Sequence, residues 1–401
     1  IFSHSPHVHT IETISSSFLS HHLPLADLAL IFEKEEGRLT MEGGNEDASS
    51  VVSSSTSIPG PITLSPPGKR EVVDKARALQ IIAHWREQLL AHRAKVVATS
   101  NPAANALPLC DSIVLADKSY TYEAAMEIST FLTSTTEFDP SIASGITVAD
   151  VSDIIASRME TEGLQVLTSI SNAFLSSKLI EVNLSDNAMG SKGITACANL
   201  LGGAASMSME RLSLCNNGLS EASMGEIAEI LTKSDDGSCI AARLTKIHFY
   251  NNMSGDGGCT SFGKILDNCS SRLEDIRFSG TRAGAGGSKV VAEALEALAS
   301  SNDGSSTNKL ANLTRLDLAD NSFGSCGTTL AKGLSQCTSL VHLNLKDCIL
   351  SEAGMRSVCS ALIEARCPLV HLDLSGNEIV PDVVGSVAAL LEDDTIGDSI
   401  R

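Results

Sequence analysis

Eight positions, Asp153, Asp186, Asn216, Asn251, Gly280, Asp320, Asp347 and Gly376, follow one another at intervals of 27 to 40 residues. Six of them carry an amide or a carboxylate, groups that hydrogen-bond a partner or cap a turn. Taken singly, each reads as a turn cap or ordinary surface polarity. Taken as a row, they read as a contact surface along one rim of a repeat structure. Bond-breaking chemistry needs more, and the usual constellations are missing. Gly284–Lys289 (GAGGSK) lacks the G-x-x-x-x-G-K-[ST] spacing that cradles a phosphate. There is no G-x-S-x-G, no H-E-x-x-H and no Cys/His arrangement suited to nucleophilic attack. The pairs Asp235-Asp236 and Asp393-Asp394 fall in expected loops and read as solvated. His4, His7, His9, His21 and His22 fit no metal-ligand spacing. The expectation is therefore a chain with no metal, no cofactor and no complete active site of its own.

The elements that position the row come from a repeated phrase. Leu179–Gly190 reads LIEVNLSDNAMG, and copies start at Met209, Leu244, Leu273, Leu313, Leu340 and Leu369. Degenerate copies start at Cys110 and Ile146, making nine. The phrase resembles that of leucine-rich repeats. Leu179, Val182 and Leu184 are expected inside and Glu181, Asn183 and Ser185 outside, the alternation of a short strand. Asn187, Asn217, Asn252, Asn321 and Asn377 share the next column, where a buried amide would satisfy inward-turning backbone, with Thr281 and Cys348 as weaker substitutes. Ile194, Cys197, Ala198 and Leu201 then follow helical spacing. One such unit cannot bury its own apolar face, so units must stack. The expected fold class is α/β: a leucine-rich-repeat solenoid, a ribonuclease-inhibitor-like horseshoe with parallel strands on the concave face and helices on the convex face.

Composition narrows the partners. The chain has 401 residues, 43% hydrophobic, with a net charge of −19. That charge argues against nucleic acid and anionic membranes as direct ligands and favours a partner with a basic face. No run is long and apolar enough to predict a membrane span. The eleven Cys include no C-x-x-C pair, and many fall at core positions such as Cys197, Cys337 and Cys359, so they read as buried free thiols.

In chain order, residues 1–68 are rich in Ser, Pro and Gly and are expected to be disordered, with Met41 as a candidate natural start. Residues 69–98 read as a basic amphipathic helix with an apolar stripe of Val72, Ala76, Leu79, Ile82 and Leu89. This stretch carries seven basic and three acidic residues, +4, so the remainder carries −23. A cap over the first repeat of an acidic solenoid is the preferred reading, membrane or partner binding the other. Asn101–Pro108 is a linker. Residues 110–401 hold the repeats, with longer inserts at Ser234–Ala242 and Ser300–Asn308. The C-terminus is expected to be cut short, because no closing cap follows the last repeat.

Several phrases carry a more specific resemblance: NLSDNAMGSKGI at Asn183–Ile194, CNNGLSE at Cys215–Glu221, HFYNNMSGDGG at His248–Gly258, FSGTRAGAGGSKVVAEAL at Phe278–Leu295 and LDLADNSFGSCG at Leu316–Gly327. In kind and order they resemble the Ran GTPase-activating proteins, the plant members above all. The resemblance implies an activator of the nuclear-transport GTPase Ran, a regulator rather than an enzyme, acting as a monomer on Ran in its GTP-bound form. Its place would be the cytoplasm, with the nuclear envelope as the further option. The family supplies no arginine finger; its rim contacts the switch regions and helps Ran's own glutamine orient the attacking water. The family's asparagine at that glutamine maps to Asn216, and its functional arginine to Arg158 in Asp153–Arg158. Asp153, Asp186, Asn251, Asp320 and Asp347 would line the same contact. The plant members' N-terminal Trp-Pro-Pro domain has no counterpart, since Trp85 stands between His84 and Arg86, and their long acidic tail is missing. The alternative is a repeat scaffold that binds a protein without catalytic consequence.

Overall fold

The computed structural model describes residues 59–99, 107–234, 238–270, 273–300, 308–378 and 380–393, together with the backbone of 31–33. The expectations for most of residues 1–58, for the linker at 101–106 and for the middle of both inserts lie outside the described residues.

Ten short strands lie side by side, each parallel to the next. They are Ile62–Leu64, Cys110–Val114, Val148–Asp150, Glu181–Asn183, Arg211–Ser213, Lys246–His248, Asp275–Arg277, Arg315–Asp317, His342–Asn344 and His371–Asp373. Ile31–Glu33 adds an antiparallel strand beyond His371–Asp373. The pairing is in register from Val148–Asp150 onward, so the middle residues Ala149, Val182, Leu212, Ile247, Ile276, Leu316, Leu343 and Leu372 form one column. Every residue of that column is buried. A parallel pair needs a crossover, and here helices supply it: Glu160–Ala173, Glu221–Thr232, Gly255–Asp267, Ala285–Ser300, Gly327–Leu334 and Glu352–Ala365, while Pro381–Glu392 follows the last of these strands. In the Leu179 repeat the helix breaks at Cys197 into Gly190–Ala196 and Ala198–Gly202. Phe249, Phe262 and Phe278 thicken the core, the last two stacked at 4.1 Å.

The strand phrase behaves as read, with one exception. Ser185 is buried rather than outward, because its hydroxyl accepts the Cys215 N–H across the sheet at 3.1 Å. The Asn column is bonded to backbone throughout and buried at Asn187, Asn217, Asn252 and Asn321, with Asn377 half-buried. Asn187 Nδ2 donates to Leu184 and Val151 carbonyls, and its Oδ1 accepts from Ile154 N–H. Thr281 keeps the column by donating to Asn321 Oδ1 at 2.6 Å, and Cys348 Sγ lies 3.3 Å from the Leu318 carbonyl. The cysteines are free and, apart from half-buried Cys326, buried. Burial pushes the Cys197 thiol up to about 11 and Cys337 to about 12, so neither is a thiolate at neutral pH.

The N-terminal boundaries differ from those expected. Ile62–Leu64, inside the stretch read as disordered to residue 68, pairs with Cys110–Val114. Glu71–Val73 pairs with Lys118–Tyr120, and the helix runs only from Lys75 to Ala98 after its Asp74 cap. The buried stripe is Ala78, Ile81, Ile82, Trp85, Leu89 and Val96, while Val72 and Leu79 are exposed. Trp85 decides the helix's rotation: its indole N–H reaches the Ser65 carbonyl at 2.9 Å and its ring lies 6.2 Å from Phe131. Basic residues of this helix and of the segment before it pair across to the first repeats, Lys75 with Glu127, Arg86 with Glu137 and Arg70 with Asp153.

Candidate functional site

Every member of the polar row leaves its strand in the left-handed backbone region, with φ of 52° at Asp153, 63° at Asp186, 51° at Asn216 and 56° at Asn251. Gly280, Asp320, Asp347 and Gly376 continue at 62°, 55°, 51° and 71°. Asp, Asn and Gly are the residues that tolerate this region, so the turn alone selects the residue types. At Gly376 the constraint is tighter, because a Cβ would meet Asp347 Oδ1. What the turn does not require is the bonding between neighbours. Asn216 Nδ2 donates to Asp186 Oδ1 at 2.8 Å, and Asn251 Nδ2 donates to Asn216 Oδ1 at 3.0 Å. A carboxylate only accepts, so Asp186 fixes which end of the Asn216 amide faces it. The Asn216 amide is thereby held in one orientation at an exposed edge, with hydrogen-bonding capacity left on both ends.

Asp153 stands apart from this chain. Arg70 takes both of its oxygens, at 2.5 and 2.9 Å. Burial raises its carboxyl above the usual range, aided by Asp117 and Asp186 and opposed by Arg70. As a member of a free contact row it is therefore occupied by the chain's own N-terminal region. Asp320 and Asp347 are exposed, further along the rim and outside the bonded trio.

Arg158 lies in the loop before helix Glu160–Ala173, turned there by Ser157 with φ 62°. It lines a cleft of about 600 Å3 whose other wall is the turn Asp186–Lys192. Asp186 therefore joins the two assigned residues: it orients Asn216 and borders the cleft of Arg158. The Arg158 side chain is 16% exposed; among the described residues its one ion pair is a loose 3.6 Å contact with Glu162, and its buried Nε has no hydrogen-bond partner. Sequence reading missed Glu162, although the i,i+4 spacing from Arg158 could have pointed to it. Lys192 on the opposite wall pairs with Glu160.

Apolar side chains also stand exposed along this rim: Met159 beside Arg158, Met253 two residues after Asn251 and Ile349 two after Asp347. Ile349 is 66% exposed with φ 51°, a conformation that a β-branched side chain resists. Ile349→Asn is expected to raise stability by about 1 kcal/mol, read from the urea midpoint at unchanged slope. An unchanged or lowered midpoint would mean that Ile349 gains compensating contacts in the free protein.

Among the described residues no group of His, Cys, Asp and Glu is placed to hold a metal ion, and no helix is long and apolar enough to cross a membrane.

A leucine-rich-repeat family model matches residues 175–196. RAN GTPase-activating protein 1 of Arabidopsis thaliana is 49% identical over 61 residues, 15% of this chain and 11% of that protein. RAN GTPase-activating protein 2 of the same plant is 48% identical over 52 residues, 13% and 10%. The ribonuclease inhibitor of Sus scrofa is 28% identical over 204 residues, 50% of this chain and 40% of that protein. The matches thus span about a tenth of the two plant proteins and two fifths of the inhibitor. Together with the parallel sheet and its crossover helices, they make the chain an α/β leucine-rich-repeat solenoid.

Proposed function

We propose that this solenoid activates GTP hydrolysis on the small GTPase Ran. The observation that carries the reading is the Asn216 amide, exposed on the rim and held in one orientation between Asp186 and Asn251. The short, strong likeness to the two plant activators supports it. In the reaction a water oxygen bonds to the γ-phosphorus while the bond to the β–γ bridging oxygen breaks, and little covalent chemistry is asked of the protein. Catalysis is then mostly positioning. Asn216 has a free lone pair and a free N–H, so it can hold a side-chain amide of the partner and, through it, the attacking water. The chemistry stays in the partner, and this chain regulates it from the cytoplasm. Asp186 and Asn251 position Asn216; Asp320 and Asp347 make the rim acidic where it meets a basic face of the GTPase.

The test is single-turnover hydrolysis on GTP-loaded Ran with catalytic amounts of the chain. Acceleration supports the reading. Binding without acceleration supports the second reading, a non-catalytic repeat scaffold, which the longer similarity to ribonuclease inhibitor favours.

Arg158 is expected to act through its guanidinium. Its loose pair with Glu162 contributes little to stability, which leaves the exposed part of the guanidinium available to a bound protein. Arg158→Lys should lower stimulation about tenfold or more with a nearly unchanged thermal midpoint, because an ammonium cannot reproduce the planar fork. Full stimulation by the Lys variant, or loss of activity only in step with unfolding, would remove Arg158 from the site.

A further inference from the structure

Away from the rim, the outward positions of the C-terminal strands carry two arginines and three aspartates, and the two arginines meet at one hollow. Arg277, Arg315, His342, Asn344 and His371 surround a hollow of about 230 Å3 on the concave face, with Asp317 at its edge. Register brings them together: Arg315 lies between Asp275 and His342 in one row, and Arg277 precedes Asp317 and Asn344 in the next. The nearby carboxylates are turned toward the chain itself. Asp373 Oδ1 accepts from the Ser375 N–H and hydroxyl, and Asp317 Oδ1 accepts from Ala319 N–H. Asp275 Oδ1 lies 2.9 Å from His248 Nε2 and faces Arg277 only at 3.7 Å, with Arg315 beside it in register. The arginines are poorly matched. Arg277 Nε is buried and, among the described residues, has no hydrogen-bond partner; it keeps only a long ion pair of 3.7 Å with Asp275 Oδ1, which is itself without a hydrogen bond. Among the described residues the Arg315 side chain makes no hydrogen bond or ion pair. A buried N–H without an acceptor is costly, and two guanidinium forks at one hollow suit planar carboxylates.

We propose that this part of the concave face is a docking surface for an acidic peptide segment of a partner protein, whose Asp or Glu carboxylates sit on Arg277 and Arg315. His342 and Asn344 supply further N–H donors on the same wall. Charge complementarity selects this occupant. A nucleic acid presents a continuous charged backbone that would run beyond the hollow onto a chain of net charge −19, where repulsion acts within a screening length of about 8–10 Å. A short acidic segment can place its carboxylates on the arginines and leave neutral residues elsewhere.

The probe is a labelled peptide with a run of Asp and Glu, compared with the same peptide carrying Asn and Gln. Anisotropy is followed on the full chain at low ionic strength. The acidic peptide should bind and the neutral one should not. Arg315→Gln should weaken binding about tenfold, the effect of losing one charge-assisted fork. Arg277→Gln should weaken it similarly, and a thermal midpoint for each variant separates lost binding from lost folding. Arg356→Gln, on helix Glu352–Ala365 and paired there with Glu352, should leave binding unchanged. Equal binding of the neutral peptide, wild-type affinity in a folded Arg315→Gln chain, or tighter binding of a single-stranded oligonucleotide at this hollow would overturn the proposal. None of these outcomes depends on whether the rim stimulates GTP hydrolysis.

Discussion

Asn216→Gly is expected to lower stimulated GTP hydrolysis on Ran about 100-fold while leaving the thermal midpoint within a few degrees. The magnitude follows from removing one positioned hydrogen-bonding group at a reaction centre, which costs on the order of 10²–10³ in rate. Glycine is the right replacement because Asn216 has φ 51°. Alanine there would add about 1 kcal/mol of backbone cost and mix stability with function. Loss of the amide frees Asp186 and Asn251 at an exposed edge, where water replaces both hydrogen bonds at little cost. Ran binding should fall much less than the rate, since the remaining rim is intact. Two further variants sharpen the result. Asp186→Asn should retain binding yet lose part of the rate, because an amide at 186 no longer dictates which end of Asn216 faces it. Asn217→Ala, one residue on but buried, should lose activity only as folding is lost. Full stimulation by Asn216→Gly would end the proposed role of this residue.

The largest loss of stability is expected one repeat further, at Asn252. It is 1% exposed and its side chain makes five hydrogen bonds, all to backbone. Nδ2 donates to the carbonyls of Leu214, Phe249 and Tyr250, at 3.1, 2.8 and 3.4 Å. Oδ1 accepts the N–H groups of Asn217 and Leu219, at 3.0 and 3.2 Å. Asn252→Ala strands these backbone groups where water cannot reach them, each at a cost of about 1–3 kcal/mol when no partner replaces the amide. Partial relaxation should leave a net loss of about 3–5 kcal/mol, a large fraction of the stability of an ordinary domain. Asn252→Asp should be at least as harmful despite its matching shape, since it sets a second oxygen against carbonyl oxygens. In a solenoid each repeat leans on its neighbours. Hydrogen exchange should therefore show protection lost first around the Arg211, Lys246 and Asp275 strands and retained longer at the ends. A urea midpoint shifted by less than about 1 kcal/mol would show that the Asn column is not what holds these turns.

The sequence by itself determined the repeat, because the features that define it are local. An apolar period of two, a following helical period and an Asn at a fixed offset each act over a few residues, and nine copies reinforce one another. From these follow the buried column through Val182, Leu212, Ile247, Ile276, Leu316, Leu343 and Leu372, the Asn column beside it and the row of turn residues on the rim. The tertiary structure decided what each rim residue is free to do. Arg70 and Asp153 are 83 residues apart, and only docking of the N-terminal region shows that the carboxylate is taken. Asn216 and Asp186 are 30 residues apart, and only the stacking of neighbouring turns makes one orient the other. The same holds for Ser185, turned inward by a backbone N–H from the next strand, and for the first helix, whose rotation is set by the Trp85 bond to Ser65 rather than by an apolar stripe through Val72 and Leu79. Likewise the hollow between Arg277 and Arg315 exists only because strand register sets residues 38 positions apart diagonally across two neighbouring strands. Periodicity specifies which way a side chain points. Its partner depends on which turns stack against it, and that follows from the packing of the whole solenoid.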